Sequence, residues 1–183
     1  MSKKSKTPRT VKDDPKAIFQ SGEMYRAASA ILGQPRYSPQ FIAPACALAA
    51  FSLELYFKSL IVFDDRVAPE NHDLQRLFSL LSRDHQQKIR DFFRQENAKL
   101  ELQYRAIEKH EGRPIPRPNF DRILDLSKNA FTKLRYAYQT DNLRDGEGWT
   151  GSVIWDGTRT LILKLHPDWA VPLPGSSPTS PIR

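Results

Sequence analysis

A chain of 183 residues, 39% hydrophobic and 27% charged, is long enough to bury one ordinary core and too short for two full domains. Its single cysteine, Cys46, excludes an internal disulfide and, set among alanines, reads as a small core residue in a reducing, cytoplasmic setting. The net charge of +7 is concentrated at the start, because Lys3, Lys4, Lys6, Arg9 and Lys12 all precede the first acid. Residues 1–13 therefore read as a basic, disordered arm able to track phosphates, and they lack the apolar run of a secretory signal.

Asp14 followed by Pro15 starts a first helix, with a side-chain acceptor at the cap and a residue that needs no N–H in the first turn. It runs to about Leu32, where Gly33 and Pro35 stop it. Pro39 and Pro44 leave two starting points for the second helix, since either residue suits a first turn and neither suits an interior. From Ala45 to Phe63 that helix is apolar on nearly every side, the pattern of a central element. Its length raises a membrane span, but Glu54 and Lys58 argue against one, each costing about 2.5 to 3.5 kcal/mol at a bilayer centre.

A third helix is expected over Asn71 to Leu81, capped by Asn71, with Leu74, Leu77, Phe78 and Leu81 on one face. Ser82 then caps a long fourth helix, Arg83 to about His110, and Gly112 to Pro118 is a proline-rich breaker. Asn119 caps a fifth helix from Phe120 to about Gln139. Beyond it, Val153-Ile154-Trp155 and Thr158 to Leu165 read as two strands of a β-hairpin turning at Asp156-Gly157. The fold class expected is all-α, with residues 14–140 as the helical bundle, 141–171 as a loop and hairpin packed on it, and 172–183 as a disordered tail rich in proline and serine.

Glu54 and Lys58 stand four apart in Ala49-Ala50-Phe51-Ser52-Leu53-Glu54-Leu55-Tyr56-Phe57-Lys58, on one helical face. They can pair with each other or with Arg135 of the last helix; the plainer reading is a structural polar network locking helix two against helix five. Together with His72-Asp73-Leu74-Gln75-Arg76-Leu77 and Phe131-Thr132-Lys133-Leu134-Arg135-Tyr136-Ala137-Tyr138, this stretch resembles the HEPN family, the helical domains named for higher eukaryotes and prokaryotes nucleotide-binding. The resemblance implies an up-and-down bundle of four to five helices, a homodimer, and a role in RNA cleavage, RNA binding, toxin–antitoxin pairs or phage defence. It marks Glu54, Lys58, His72, Asp73, Arg135, Tyr136 and Tyr138 as ligand- or network-forming, with Tyr136 or Tyr138 available to stack on a base.

Catalytic members of that family carry an arginine followed four to six residues later by a histidine in a late helix. The histidine moves a proton and the arginine stabilises charge on phosphate. Here Arg135 has no histidine after it until His166, so the chain reads as a divergent member. Arg105 with His110, five apart, and Arg66 with His72, six apart, meet the spacing outside the late helix. The four histidines are scattered, no two at helical i,i+4 spacing, so no metal site is expected and no cofactor is implied. The expectation is thus an RNA- or nucleotide-binding protein without efficient ribonuclease activity. The alternatives are a protein-interaction module offering the hairpin's edge strand, and a metal-independent ribonuclease using Arg105 and His110.

Overall fold

The computed structural model describes residues 13–36, 39–135 and 151–171, and among them it holds eight α-helices and no strand. The all-α expectation is met. The basic arm up to Lys12, the segment 136–150 with Tyr136 and Tyr138, and the tail from Pro172 lie outside the described residues.

Side-chain caps start four of the eight described helices. In α1 (Pro15–Leu32), Asp14 Oδ1 accepts the Lys16 N–H at 2.9 Å and Pro15 occupies the first turn. In α4 (Arg83–Lys99), Ser82 Oγ accepts from His85 N, and in α6 (Phe120–Ser127), Asn119 Oδ1 accepts from Arg122 N. The third helix begins later than the sequence suggests. Asn71 Oδ1 accepts the Asp73 N–H, and Asp73 in turn caps α3 (Leu74–Leu80) by accepting from Arg76 N at 2.9 Å.

A 3₁₀ turn, Pro39–Phe41, leads into α2 (Ile42–Phe63), which places Pro44 in the first turn, where a missing N–H costs nothing. By length and composition α2 could cross a membrane, yet 67% of its most apolar stretch is buried inside the fold. It packs against α1, α3, α7 (Ala130–Arg135) and α8 (Ser152–Leu165). Helices α1 and α2 run antiparallel, pinned at opposite ends by Ser29 Oγ to the Ala45 carbonyl and Ser59 Oγ to the Pro15 carbonyl, both at 2.8 Å. Between these pins the helices approach closely, because a Cβ on Gly22 would lie 2.7 Å from the Tyr56 ring. Phe19, Leu53, Tyr56, Phe57, Leu77, Ile89, Ile154 and Ile162 fill the centre.

Two expected helices are broken. The fourth divides into α4 and α5 (Glu101–Glu111) at Leu100, whose N–H turns back to the Asn97 carbonyl while the Asn97 side chain donates to the Phe93 carbonyl. The second piece buries no side chain. Its far end is closed by Gly112, left-handed at φ 66°, and by Arg117, which folds back onto Glu101, Glu108 and the Tyr104 ring. The fifth divides into α6 and α7 at Lys128, whose carbonyl accepts the first amide of α3, Leu74 N, at 2.9 Å. A tertiary hydrogen bond has replaced helix continuation.

The expected β-hairpin is overturned: residues 152–165 form helix α8. The run rich in Val, Ile, Trp and Thr has strand propensity, but its buried positions Ile154, Gly157, Thr158, Leu161 and Ile162 recur at helical spacing. Burial of that stripe against α2 and α4 outweighs the propensity. Gly157 is no turn residue; it lets the Phe92 ring lie on α8, since a Cβ there would come within 2.7 Å of Phe92 Cδ1. Without a hairpin, an edge strand offered to another chain is also lost.

Gly157→Ala is therefore expected to destabilise by about 1–2 kcal/mol through overpacking, whereas an open helix interior would gain about 1 kcal/mol from the same change. Chemical denaturation checks the sign. In a Phe92→Ala background the same substitution should become stabilising.

Candidate functional site

Glu54 is fully buried on α2, and its carboxylate has two partners near the surface. Lys58 Nζ, one turn along the same helix and 13% exposed, donates to Glu54 Oε1 at 2.8 Å. His72 Nδ1 stands 2.9 Å from Oε1 and 3.0 Å from Oε2. The imidazole is held from three sides: Asn71 and Asp73 fix the backbone turn around it, Leu74 N is tied to Lys128 O, and the Phe131 ring of α7 lies 5.7 Å away. Phe131 stacks on Phe51 at 4.5 Å, and Phe51 meets the edge of Tyr25 at 4.7 Å, so the cluster rests on an aromatic ladder running from α7 through α2 to α1.

A carboxylate can only accept, so the Nδ1 facing it carries the proton. That fixes the tautomer and leaves Nε2 as the second ring nitrogen of a side chain still 52% exposed. A buried acid orienting an accessible imidazole is the arrangement that suits proton transfer or contact with an anion. Lys58 brings the cluster to neutrality when the imidazole is neutral, and the ring's second proton would make it +1.

The other residues singled out in the sequence are placed differently. Arg135 is exposed at the end of α7, with its guanidinium 5.2 Å from the Phe131 ring centre, on the helix that backs His72. Asp73 serves as the α3 cap. Arg66 donates to the Leu80 carbonyl. Arg105 is 71% exposed and paired with Glu101, and His110 is exposed in the last turn of the same outlying α5. Neither residue lines the grooves found among the described residues. Tyr136 and Tyr138 lie outside the described residues. Among the described residues no group of three metal-ligating side chains occurs.

A second buried carboxylate escaped the sequence reading. Glu23 of α1, 1% exposed, receives Arg159 of α8 in a two-pronged contact, Nε to Oε1 at 2.8 Å and Nη2 to Oε2 at 2.9 Å. The Tyr56 hydroxyl donates to Oε1, and Arg26 Nε lies 3.3 Å from the same oxygen. Burial pushes the Glu23 carboxyl up, but the hydrogen bonds from Arg159 and Tyr56 and the charges of Arg159 and Arg26 outweigh it and hold the carboxyl below its ordinary value. Burial and the bond to Glu23 push the Tyr56 phenol up. One signal was available in the sequence: Glu23 follows Phe19 by four residues, in line with the apolar stripe of α1.

A groove of about 330 Å³ lies elsewhere, between α4 and α8, over Phe92, Gly157 and Leu161 with Lys88 and Lys164 at its rim. It holds no histidine and no buried acid, so its volume is less telling than the charge arrangement at Glu54. Comparison with protein-family models, with curated proteins and with solved structures found no match for the chain.

Removing the second carboxylate, Glu23→Ala, should cost about 3–5 kcal/mol, because it strands Arg159 and the Tyr56 hydroxyl without an acceptor. The pH dependence follows from the lowered carboxyl. Its stabilisation is complete above the ordinary value of 4.5 and is lost as pH falls through the lower folded-state value. Urea titrations across that range should show a smaller acid loss in Glu23→Gln than in the parent chain.

Proposed function

We propose that this chain is a HEPN-like helical protein that binds RNA or a nucleotide through the face formed by Lys58, His72 and Arg135. One observation carries the reading: a fully buried acid, Glu54, holds both an ammonium and a half-exposed imidazole at one surface point. A structural ion pair does not require an accessible histidine, whereas a contact to phosphate does. The acid-to-lysine helix followed by His72-Asp73-Leu74, on which the family resemblance rests, supplies these same side chains. Arg135 adds a planar donor suited to phosphate on α7, over the same Phe131 ring that His72 meets.

Binding without efficient cleavage fits this arrangement. No histidine follows Arg135 within the family's spacing, and the Arg105–His110 pair sits on a helix with no buried side chain to orient it. A homodimer and a part in defence or a toxin–antitoxin pair belong to the same reading, as what the resemblance implies, and the cytoplasmic setting joins them from the lone cysteine.

The test is fluorescence anisotropy with a labelled single-stranded RNA, and separately with a nucleotide, on the full chain and on one lacking residues 1–12. Salt-dependent binding should survive the deletion, because the face lies on the bundle. Arg135→Ala should weaken it about 3- to 10-fold and reduce the salt slope by about one. Binding that disappears with the arm would assign the affinity to the arm and remove this site.

A further inference from the structure

We infer that His72 is a proton-controlled contact, so that this face gains affinity for phosphodiester as the pH falls through the neutral range. The inference rests on the reading of the face as a nucleic-acid site and adds how that site is regulated. With His72 neutral, the charges of Glu54 and Lys58 cancel. A second proton, taken up on Nε2, turns the cluster into a cation whose new donor is the ring nitrogen not bonded to Glu54, on a side chain 52% exposed.

The surroundings isolate this event. Among the described residues, the ionisable groups on the elements around the ring are Glu54 and Lys58 on α2, with Cys46 and Tyr56 on the same helix, Asp73 and Arg76 at the start of α3, the Asp125–Lys128 pair at the break before α7, and Lys133 and Arg135 on α7. Carboxylates, lysines and arginines keep their charge between about pH 6 and 8, and histidine alone among ordinary side chains changes there. Glu54 acts as the positioning residue. It is buried, already ion-paired with Lys58, and accepts from Nδ1, so it holds the ring in place in both protonation states.

The probe is an oligouridylate with hydroxyl ends, whose diester phosphates take up no proton in this range. Its affinity for the full chain, measured at constant ionic strength, should rise about tenfold between about pH 8 and pH 6, an average uptake of about half a proton on binding. His72→Gln replaces a half-exposed side chain, so it should keep its far-ultraviolet circular dichroism and lose the pH slope; His110→Gln should keep both. An independent measurement follows the imidazole resonances by NMR. Linkage requires the oligonucleotide to shift the His72 titration toward higher pH and to leave the buried His85 unmoved.

An equal slope in His72→Gln, or a His72 titration that ignores the oligonucleotide, overturns the proton control. Binding that is flat with pH yet weakened by Arg135→Ala overturns it too and leaves the nucleic-acid reading standing. Absence of binding at every pH overturns both.

Discussion

A carboxylate with almost no access to water, Glu23, joins the three helices that form the centre of this fold. Its oxygens take the Arg159 guanidinium from α8, the Tyr56 hydroxyl from α2 and the nearby charge of Arg26 on its own helix. Apolar contact supplies most of the driving force for packing, but it has little directional preference. The two-pronged contact does have one, and it sets which face of α8 meets α1 and α2. Next to it, the Trp155 indole donates to Ser52 at 2.9 Å, fixing α8 to α2 by a second directional bond. Such a network adds little net stability over a well-packed apolar alternative, and its value lies in specifying one arrangement.

Glu54, on α2, is the other buried acid, and the two differ in what surrounds them. Glu23 is enclosed by partners that are themselves largely covered, with Arg159 26% exposed and Tyr56 fully buried. Glu54 is buried to the same degree, but one of its partners is a histidine whose ring is half open to solvent. Burial of the acid therefore separates neither case from the other; the accessibility of the partner does. By that criterion the first network is a fastening between helices and the second is a place where chemistry can reach an outside molecule.

Much of the fold was legible because helix starts are decided within a few residues. Asp14, Ser82 and Asn119 each accept an amide two or three positions further on, and each marks the start expected from the sequence. The apolar run of α2 and the i,i+4 pairing of Glu54 with Lys58 are equally local. The misread elements depended on distant partners. The break between α6 and α7 exists because the Lys128 carbonyl is taken by Leu74 N, and the strand-like run of α8 is helical because a 3.6-residue stripe finds α2 and α4 to cover it. Gly157 reads as a turn in one dimension and as room for Phe92 in three.

The sequence by itself determined the helical bundle, the apolar identity of α2, the caps at Asp14, Ser82 and Asn119 and the placing of Glu54 and Lys58 on one face, since all of these follow from residues within a turn of one another. Only the tertiary structure decided that His72, 18 residues from Glu54, closes on its carboxylate, and that Arg159, 136 residues from Glu23, neutralises the other. The physical reason is the same in both cases. A buried charge must find its counter-charge wherever the chain brings one, and no local pattern of residues records which distant side chain that will be.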